Sequence, residues 1–477
     1  MKKQIAFLLV CLMAAQALAS CGSDTPAAAD TTAAPVETTE AAPAYNLPAK
    51  ENNGGRTFTI LGAGKRSERY DAEQTGDVVD DAVYKRNMLT EEHLGIDIEV
   101  VEKDSGWQVA DQYSAEITSV VLAGDDTYDL VTGAMTVIPK LAMTGNFVNV
   151  LELDIDLTNP WWISDLEETA AVNGKLYSLV GDLSLTVYRT AAVIFSNNRL
   201  QEEYKLGNFY DLVREGNWTV DAMLSASKGI TRDLNGDGEI VREDDQIAIM
   251  GHFTPFCSLQ VSAQIDLLQH EGASLAFVGL DERLVTLYEK FMSAVTDGTL
   301  MMKNAEGYDI WAVPFMEDRN LFQISTLYST TYFRDMESDF AILPLPKFDE
   351  AQEDYILDVS QSTVLWAVPV TASDYELTAK FCEVFAHYSK EHVIPAYYET
   401  TLQEKFSRDA DTAEMLKIIR SGIRLTLDGY LSYCFSPTPI TSLAKIVEND
   451  QAPASYIAAN EAAWQSQLEA VTQAYAD

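Results

Sequence analysis

The segment Arg56-Thr57-Phe58-Thr59-Ile60-Leu61-Gly62 is rich in β-branched and apolar residues and ends on a glycine. Such a run is typical of a β-strand. The residues after it change to a helical period, with Val79 and Val83 on one face. Gly95 stands where that helix would end, because glycine readily adopts the left-handed conformation of a helix C-terminus. The chain from residue 56 is therefore predicted to begin with a strand and a helix.

The same order continues downstream. Ile96–Val101 alternates like a strand, residues 114–123 have a helical period, and residues 128–132 form another strand-like run. This β-α-β-α-β order predicts an α/β sheet with right-handed crossovers. Ligands of such sheets gather beyond the carboxyl ends of the strands. In this chain those ends are the loops near Gly62, at 104–107 and at 132–135.

Upstream of the predicted sheet, the first twenty residues read as a secretory signal. A short basic start, Met1-Lys2-Lys3, precedes an apolar run that extends to Ala19. The run leads into the motif Leu18-Ala19-Ser20-Cys21. That ending resembles the lipobox of bacterial lipoproteins. The resemblance implies cleavage before Cys21, a lipid on Cys21, and a protein held at the extracytoplasmic face of the cell membrane. The alternative is an ordinary signal peptide with a chance cysteine.

Residues 21–55 are rich in Ala, Thr, Pro and acidic residues and lack the apolar side chains that a core needs. We expect this segment to be a disordered linker between the lipid anchor and the folded part. The formal net charge of −40 argues against nucleic acid as a partner, because binding phosphates requires Lys and Arg. Beyond the linker, Cys257, Cys382 and Cys434 allow at most one disulfide.

Several short motifs further along the chain follow one another in a characteristic order. They are Asn173-Gly174-Lys175-Leu176-Tyr177, the strand that ends at 195–200, Asn217-Trp218-Thr219, and the runs 340–346 and 362–369 followed by a helix. In this order the chain resembles the extracellular solute-binding proteins of ABC importers, in the carbohydrate-type branch that includes maltose-binding protein. Two departures are Ser196, where a second aromatic residue is common, and an insertion at 232–246.

This resemblance implies a periplasmic-binding-protein-like α/β fold, with two α/β lobes, crossing hinge strands and a ligand in the cleft. Lobe 1 would comprise residues 56–184 plus 362–408, and lobe 2 residues 185–361 plus 409–477. The strands that cross between the lobes are expected near 181–188, 361–371 and 405–420.

The insertion contains the pattern of an EF-hand type calcium loop. Oxygen ligands would come from Asp233, Asn235, Asp237, Glu239 through its carbonyl, and Asp244. Gly238 at the sixth position allows the sharp turn that such loops need. Position 12 is Asp244 where Glu is usual. The hypothesis is a structural Ca²⁺ ion, and the alternative is an acidic surface turn.

Sugars present apolar C–H faces that stack on flat rings and hydroxyls that need hydrogen-bond partners. Trp107 follows a strand end and Trp366 lies in a predicted crossing strand, so both are candidate ligand contacts, as is Trp161. Tyr328 lies where the resembled family presents a ligand-touching loop. Asp182 is the polar candidate, since a carboxylate accepts hydroxyl hydrogen bonds. For the aromatic residues the alternative is the core, and for Asp182 it is a turn.

Catalytic motifs are not evident in the sequence, and we expect no enzyme. The histidines form no HExxH pair, and no GxSxG elbow occurs. The favoured function is capture of a sugar or oligosaccharide by a monomer whose lobes close on it and which delivers it to an ABC permease. The alternatives are a lipid-anchored glycan-active hydrolase and a surface glycan-binding or sensory module without a permease.

Overall fold

The computed structural model describes residues 45–66, 68–303, 307–334, 336–398 and 410–476. The predicted signal, Cys21 and most of the predicted linker lie outside these residues. So does 405–409, the start of the third predicted crossing segment. Within the part of the chain that the structure describes, no helix combines the length and the apolarity that crossing a membrane requires.

From residue 56 to residue 134 the order of the main elements is β-α-β-α-β, as predicted. The strands are β1 (Arg56–Gly64), β2 (Ile96–Asp104), β3 (Leu130–Ala134), β4 (Ala192–Asn197), β5 (Ile247–His252), β6 (Leu268–Glu271), β7 (Ser274–Phe277), β8 (Leu300–Lys303), β9 (Asn320–Thr326), β10 (Phe340–Leu343), β11 (Leu357–Asp358), β12 (Val364–Ala367) and β13 (Ile423–Arg424). The α-helices are α1 (Val78–Leu94), α2 (Ala110–Ala123), α3 (Ile138–Ala142), α4 (Leu166–Ala170), α5 (Thr186–Arg189), α6 (Asn198–Tyr204), α7 (Phe209–Arg214), α8 (Val220–Ser227), α9 (Phe253–Ser262), α10 (Glu282–Thr296), α11 (Tyr308–Met316), α12 (Thr330–Phe333), α13 (Tyr375–Tyr388), α14 (Ala410–Gly422), α15 (Leu427–Leu431), α16 (Ser442–Glu448) and α17 (Pro453–Ala474). A π-helical turn, Ser389–Val393, continues α13.

The first sheet contains the strand at residue 56 in its interior. Its order is β12-β3-β1-β2, with β1 parallel to both β2 and β3 and β12 antiparallel to β3. The carboxyl ends of β1 and β2 lie side by side, because their last residues, Gly64 and Asp104, pair with each other. Helix α13 covers one face of this sheet, where Phe381 stacks on Phe58 at 4.0 Å between ring centroids.

Helix α1 begins and ends for identifiable reasons. The Asp77 side chain accepts hydrogen bonds from the backbone amides of Val79 and Asp80, two donors that have no partner inside the helix. Gly95 ends the helix with φ of 62°, as predicted. A Cβ at that position would lie 2.6 Å from the Asn52 Cα atom, so the close approach of the backbone also requires glycine.

The second sheet has the order β10-β4-β9-β5-β8. Strand β4 is antiparallel to β9 and β10, whereas β5 is parallel to β8 and β9. Phe195 on β4 contacts the rings of Phe315 and Phe333, which packs α11 and α12 on one face. Each fully buried side chain of this kind contributes about 1.5–3 kcal/mol relative to an exposed one.

The chain leaves the first-sheet region after Leu179 and returns to it at β12. These two chain segments, the one that follows Leu179 and the one that contains β12, are hydrogen-bonded to each other. Leu179 and Trp366 exchange backbone hydrogen bonds of 2.7 and 3.1 Å, and the Val364 amide donates to the Thr186 hydroxyl at 2.9 Å. Gly181 lies in the first of these segments, where a Cβ would come within 2.2 Å of the Trp161 carbonyl oxygen. The segments predicted to cross between lobes therefore lie side by side.

Candidate functional site

A cavity of about 330 Å³ is lined by residues that follow strands of both sheets. Arg69, from the loop after β1, and Asp80, in the first turn of α1, come from the first-sheet region. Arg189 ends α5, while Tyr328 and Arg334 follow β9 of the second sheet. The lining thus joins loops at the carboxyl ends of β1 and β9, which agrees with the general position of ligand sites on α/β sheets.

Glu68 holds the loop that carries Arg69. Its buried carboxylate accepts hydrogen bonds from the backbone amides of Leu185 at 3.0 Å and Thr186 at 3.2 Å. The hydroxyls of Ser184 and Thr186 also donate to it, at 2.6 and 3.1 Å. The loop after β1 is therefore tied to the first crossing segment, which fixes the position of Arg69 relative to the second-sheet side of the cavity.

Tyrosine rings and charged side chains both line this cavity. The Arg189 guanidinium carbon lies 5.0 Å from the Tyr328 ring centroid, and Arg69 forms an ion pair with Asp80 at 3.5 Å. Tyr397 also lines the cavity and is 5% exposed. Among the described residues its hydroxyl has no hydrogen-bond partner, and burial raises its pKa, so it remains a protonated donor. Such a wall offers donors, acceptors and a ring face to a polar solute.

Of the predicted ligand residues, Tyr328 is the one that lines this cavity. Trp107 begins a short 3₁₀ turn after β2 and is 67% exposed. Trp366 lies on β12 and is 1% exposed, with its ring against Tyr70 and Phe385 at 5.7 and 5.3 Å. In this conformation neither tryptophan lines a described cavity, and a ligand role for them stays a prediction.

Trp161 and Asp182 are brought together at a second cavity, beside the first crossing segment. The Asp182 amide donates to the Trp161 carbonyl at 2.7 Å. The Trp161 indole donates to Glu383 at 2.6 Å, and Glu383 also accepts from the Asn159 amide group at 3.2 Å. Burial raises the pKa of both Asp182 and Glu383. No sequence pattern pointed to Glu383 or Glu68, because their hydrogen-bond partners lie far away along the chain.

The predicted calcium loop lies between α8 and β5. Arg232 and Gln246 close it with paired backbone hydrogen bonds of 2.9 and 3.1 Å. The Asp233 carboxylate accepts from the Gly236 and Gly238 amides at 2.6 and 2.8 Å, while Asp244 is exposed. Within the described residues, no three His, Cys, Asp or Glu side chains are grouped so as to hold a metal ion. Coordination by Asp244 would require this loop to rearrange.

The chain is similar to solved structures of sugar-binding proteins. One is the GacH receptor of Streptomyces glaucescens, solved unliganded and with acarbose, with 12% identity, a TM-score of 0.57, and coverage of 87% of this chain and 99% of that one. A second is a cyclo/maltodextrin-binding protein in complex with maltotetraose, with 13% identity and a TM-score of 0.54; the match covers 89% of this chain and 98% of that one. A third is the galacto-N-biose/lacto-N-biose I-binding protein of the ABC transporter from Bifidobacterium longum, in complex with lacto-N-biose. It has 12% identity and a TM-score of 0.59, and the match covers 88% of this chain and 99% of that one.

No protein-family model and no curated protein matches the sequence. The structural likenesses extend over nearly the whole length of each solved chain. They confirm the predicted fold class, an α/β fold of the periplasmic-binding-protein type.

Proposed function

We propose that this protein is an extracytoplasmic solute-binding protein that captures a sugar or oligosaccharide for an ABC importer. The observation that carries this proposal is the cavity lined by Arg69 and Asp80 on one side and by Arg189 and Tyr328 on the other, in a fold shared with sugar-binding receptors. A ring face and several charged hydrogen-bonding groups meet there, as binding a sugar requires.

Capture would involve no covalent step. Two lobes, 56–184 plus 362–408 and 185–361 plus 409–477, would close around the solute by bending at the crossing segments. Closure excludes water from the cavity, which strengthens the few hydrogen bonds that set specificity. A membrane permease would then take the solute from the closed form, with the binding protein acting as a monomer.

A screen of solutes by thermal shift tests this proposal. Neutral mono- and oligosaccharides, amino acids and peptides are each added to the purified protein, and the melting temperature is measured. A bound ligand at a hundred times its Kd stabilises the folded state by about 2.7 kcal/mol, so at least one neutral sugar should raise the melting temperature. Shifts with peptides and none with sugars would overturn the carbohydrate assignment, and turnover of a glycan would favour a hydrolase.

The lipid anchor is a second part of the proposal. Cys21 would carry the lipid, and the linker 21–55 would tether the binding unit near its permease and raise the effective concentration of the pair. Expression of the full chain with a radiolabelled fatty acid should label the wild type at the membrane. The variant Cys21→Ala should lose the label and leave the membrane fraction, and retention of both would exclude this anchor.

The calcium loop is the third part. Asp233, Asn235, Asp237, the Glu239 carbonyl and Asp244 would hold one Ca²⁺ ion, which neutralises a cluster of carboxylates and stabilises the insertion. Oxygen donors of this type are those that calcium prefers. The role would be structural, since the loop shares no residue with the cavity that contains Tyr328.

A further inference from the structure

The second cavity, of about 600 Å³, holds an unusual concentration of positive charge for this protein. Among the described residues, four cations line it, Lys390, Lys417, Arg420 and Arg424, against one carboxylate, that of Asp182. The whole chain has 33 Lys and Arg against 73 Asp and Glu. A cavity in which cations outnumber carboxylates therefore opposes the overall composition, and its electrostatic potential favours an anion.

Arg420 is held in place by aromatic rings. Its guanidinium carbon lies 5.7 Å from the Tyr188 ring centroid and 5.5 Å from that of Tyr398. A guanidinium that stacks on rings keeps the N–H groups at its edge available for oxygen atoms. Its neighbour Lys417 is exposed, and Arg420 is partly exposed. Both line the cavity, so both can attract an anionic group within it.

Asp182 supplies a second, independent feature. The residue is 4% exposed, and its Oδ1 atom accepts a hydrogen bond from the Tyr188 hydroxyl. Its Oδ2 atom has no hydrogen-bond partner among the described residues, and the Lys390 Nζ atom lies 3.7 Å away. Lys390 forms an ion pair with this atom at a distance too long for a hydrogen bond, and a buried acceptor without a hydrogen bond is costly. A small movement of the lining that lets a ligand hydroxyl donate to Oδ2, which is buried in this structure, would remove this cost.

We infer that this cavity binds a sugar acid, that is, a small solute with an anionic carboxylate and several hydroxyl groups. The carboxylate would bind Lys417 and Arg420, and a hydroxyl would donate to the Oδ2 atom of Asp182. Trp162, which also lines the cavity and is 6% exposed, would contact an apolar face of the sugar ring. The volume is within the range of about 300–1,000 Å³ that holds small ligands.

This site differs from the cavity proposed for a neutral sugar, since no described residue lines both. The inference therefore does not rest on the proposed function. Loss of neutral-sugar binding with glucuronate binding intact would reject the proposed function alone, and the reverse result would reject this inference alone.

Isothermal titration with glucuronate, glucose and inorganic phosphate tests it. The purified wild type should bind glucuronate more tightly than either of the other two. The double variant Lys417→Gln/Arg420→Gln should weaken glucuronate binding by about tenfold or more, because charge-assisted hydrogen bonds are lost. The matched control, Lys85→Gln/Lys228→Gln, removes two exposed cations from outside the cavity and should bind like the wild type.

Circular dichroism verifies that each variant is folded, and the single variant Lys417→Gln, at an exposed position, serves if the double variant is not. No binding of glucuronate would overturn the inference. Equal weakening in the double variant and its control would overturn it too. Phosphate that binds as tightly as glucuronate would also contradict it, because phosphate lacks the hydroxyl pattern that Asp182 is proposed to recognise.

Discussion

Removing the Glu68 carboxylate is the most informative test of how the fold positions its candidate site. In Glu68→Ala the hydroxyls of Ser184 and Thr186 can still bond to each other, since their oxygens lie 2.7 Å apart. The backbone amides of Leu185 and Thr186 lose their acceptor and stay buried. An unsatisfied buried donor costs about 1–3 kcal/mol, so the free energy of unfolding should fall by about 2–6 kcal/mol.

Urea unfolding followed by tryptophan fluorescence measures this loss. The control is Glu73→Ala, which removes an exposed carboxylate from the same loop and should change stability by less than about 0.5 kcal/mol. Glu68→Ala should also weaken binding of any sugar found in the screen, because Arg69 loses its fixed position. If both variants unfold at the same urea concentration, Glu68 does not tie the loop to the crossing segment.

Three further outcomes follow from the structure. In Gly181→Ala the new Cβ would lie 2.2 Å from the Trp161 carbonyl oxygen, so the melting temperature should drop as in overpacked cores, with a loss of about 1–3 kcal/mol; an unchanged melt would contradict this geometry. Burial raises the pKa of Asp428 to about 7, so the folded state holds a proton that the unfolded state releases near pH 4. Stability from this group is therefore fully present below about pH 4 and is lost as pH rises to about 7, by up to about 1.4 kcal/mol per pH unit; Asp428→Asn should flatten that slope, and an unchanged slope would reject the assignment. Calcium chelation should lower the melting temperature of the wild type but not of Asp237→Ala, whereas equal melts with and without chelator would argue against a calcium site.

The fold class could be predicted from the sequence because apolar residues follow the strand period in some segments and the helix period in others. Helix α1, with Val79 and Val83 buried on one face, ends at Gly95, as predicted. The Thr219 side chain caps α8 by accepting from the Ala222 amide at 3.2 Å, as threonine commonly does at a helix N-terminus. These are local signals, and each needs only a few neighbouring residues.

The candidate site was harder to predict, because it depends on contacts between distant parts of the chain. Glu68 and Ser184 are 116 residues apart, and Trp161 and Glu383 are 222 apart. No local pattern distinguishes Trp366, which packs in the core, from a tryptophan on a cavity wall. Tyr328 was found because the resemblance indicated a ligand loop after that strand. Tyr397, on the same wall, follows no motif.

Titration of the best neutral sugar from the screen into three proteins tests the central proposal most directly. The proteins are the wild type, Tyr328→Ala, and Tyr84→Ala, whose ring is 40% exposed on α1 and lines no described cavity. We expect one site per chain in the wild type and an affinity about tenfold lower in Tyr328→Ala, equivalent to about 1.4 kcal/mol, with Tyr84→Ala unchanged. Equal affinity in all three proteins would contradict capture of the sugar in this cavity.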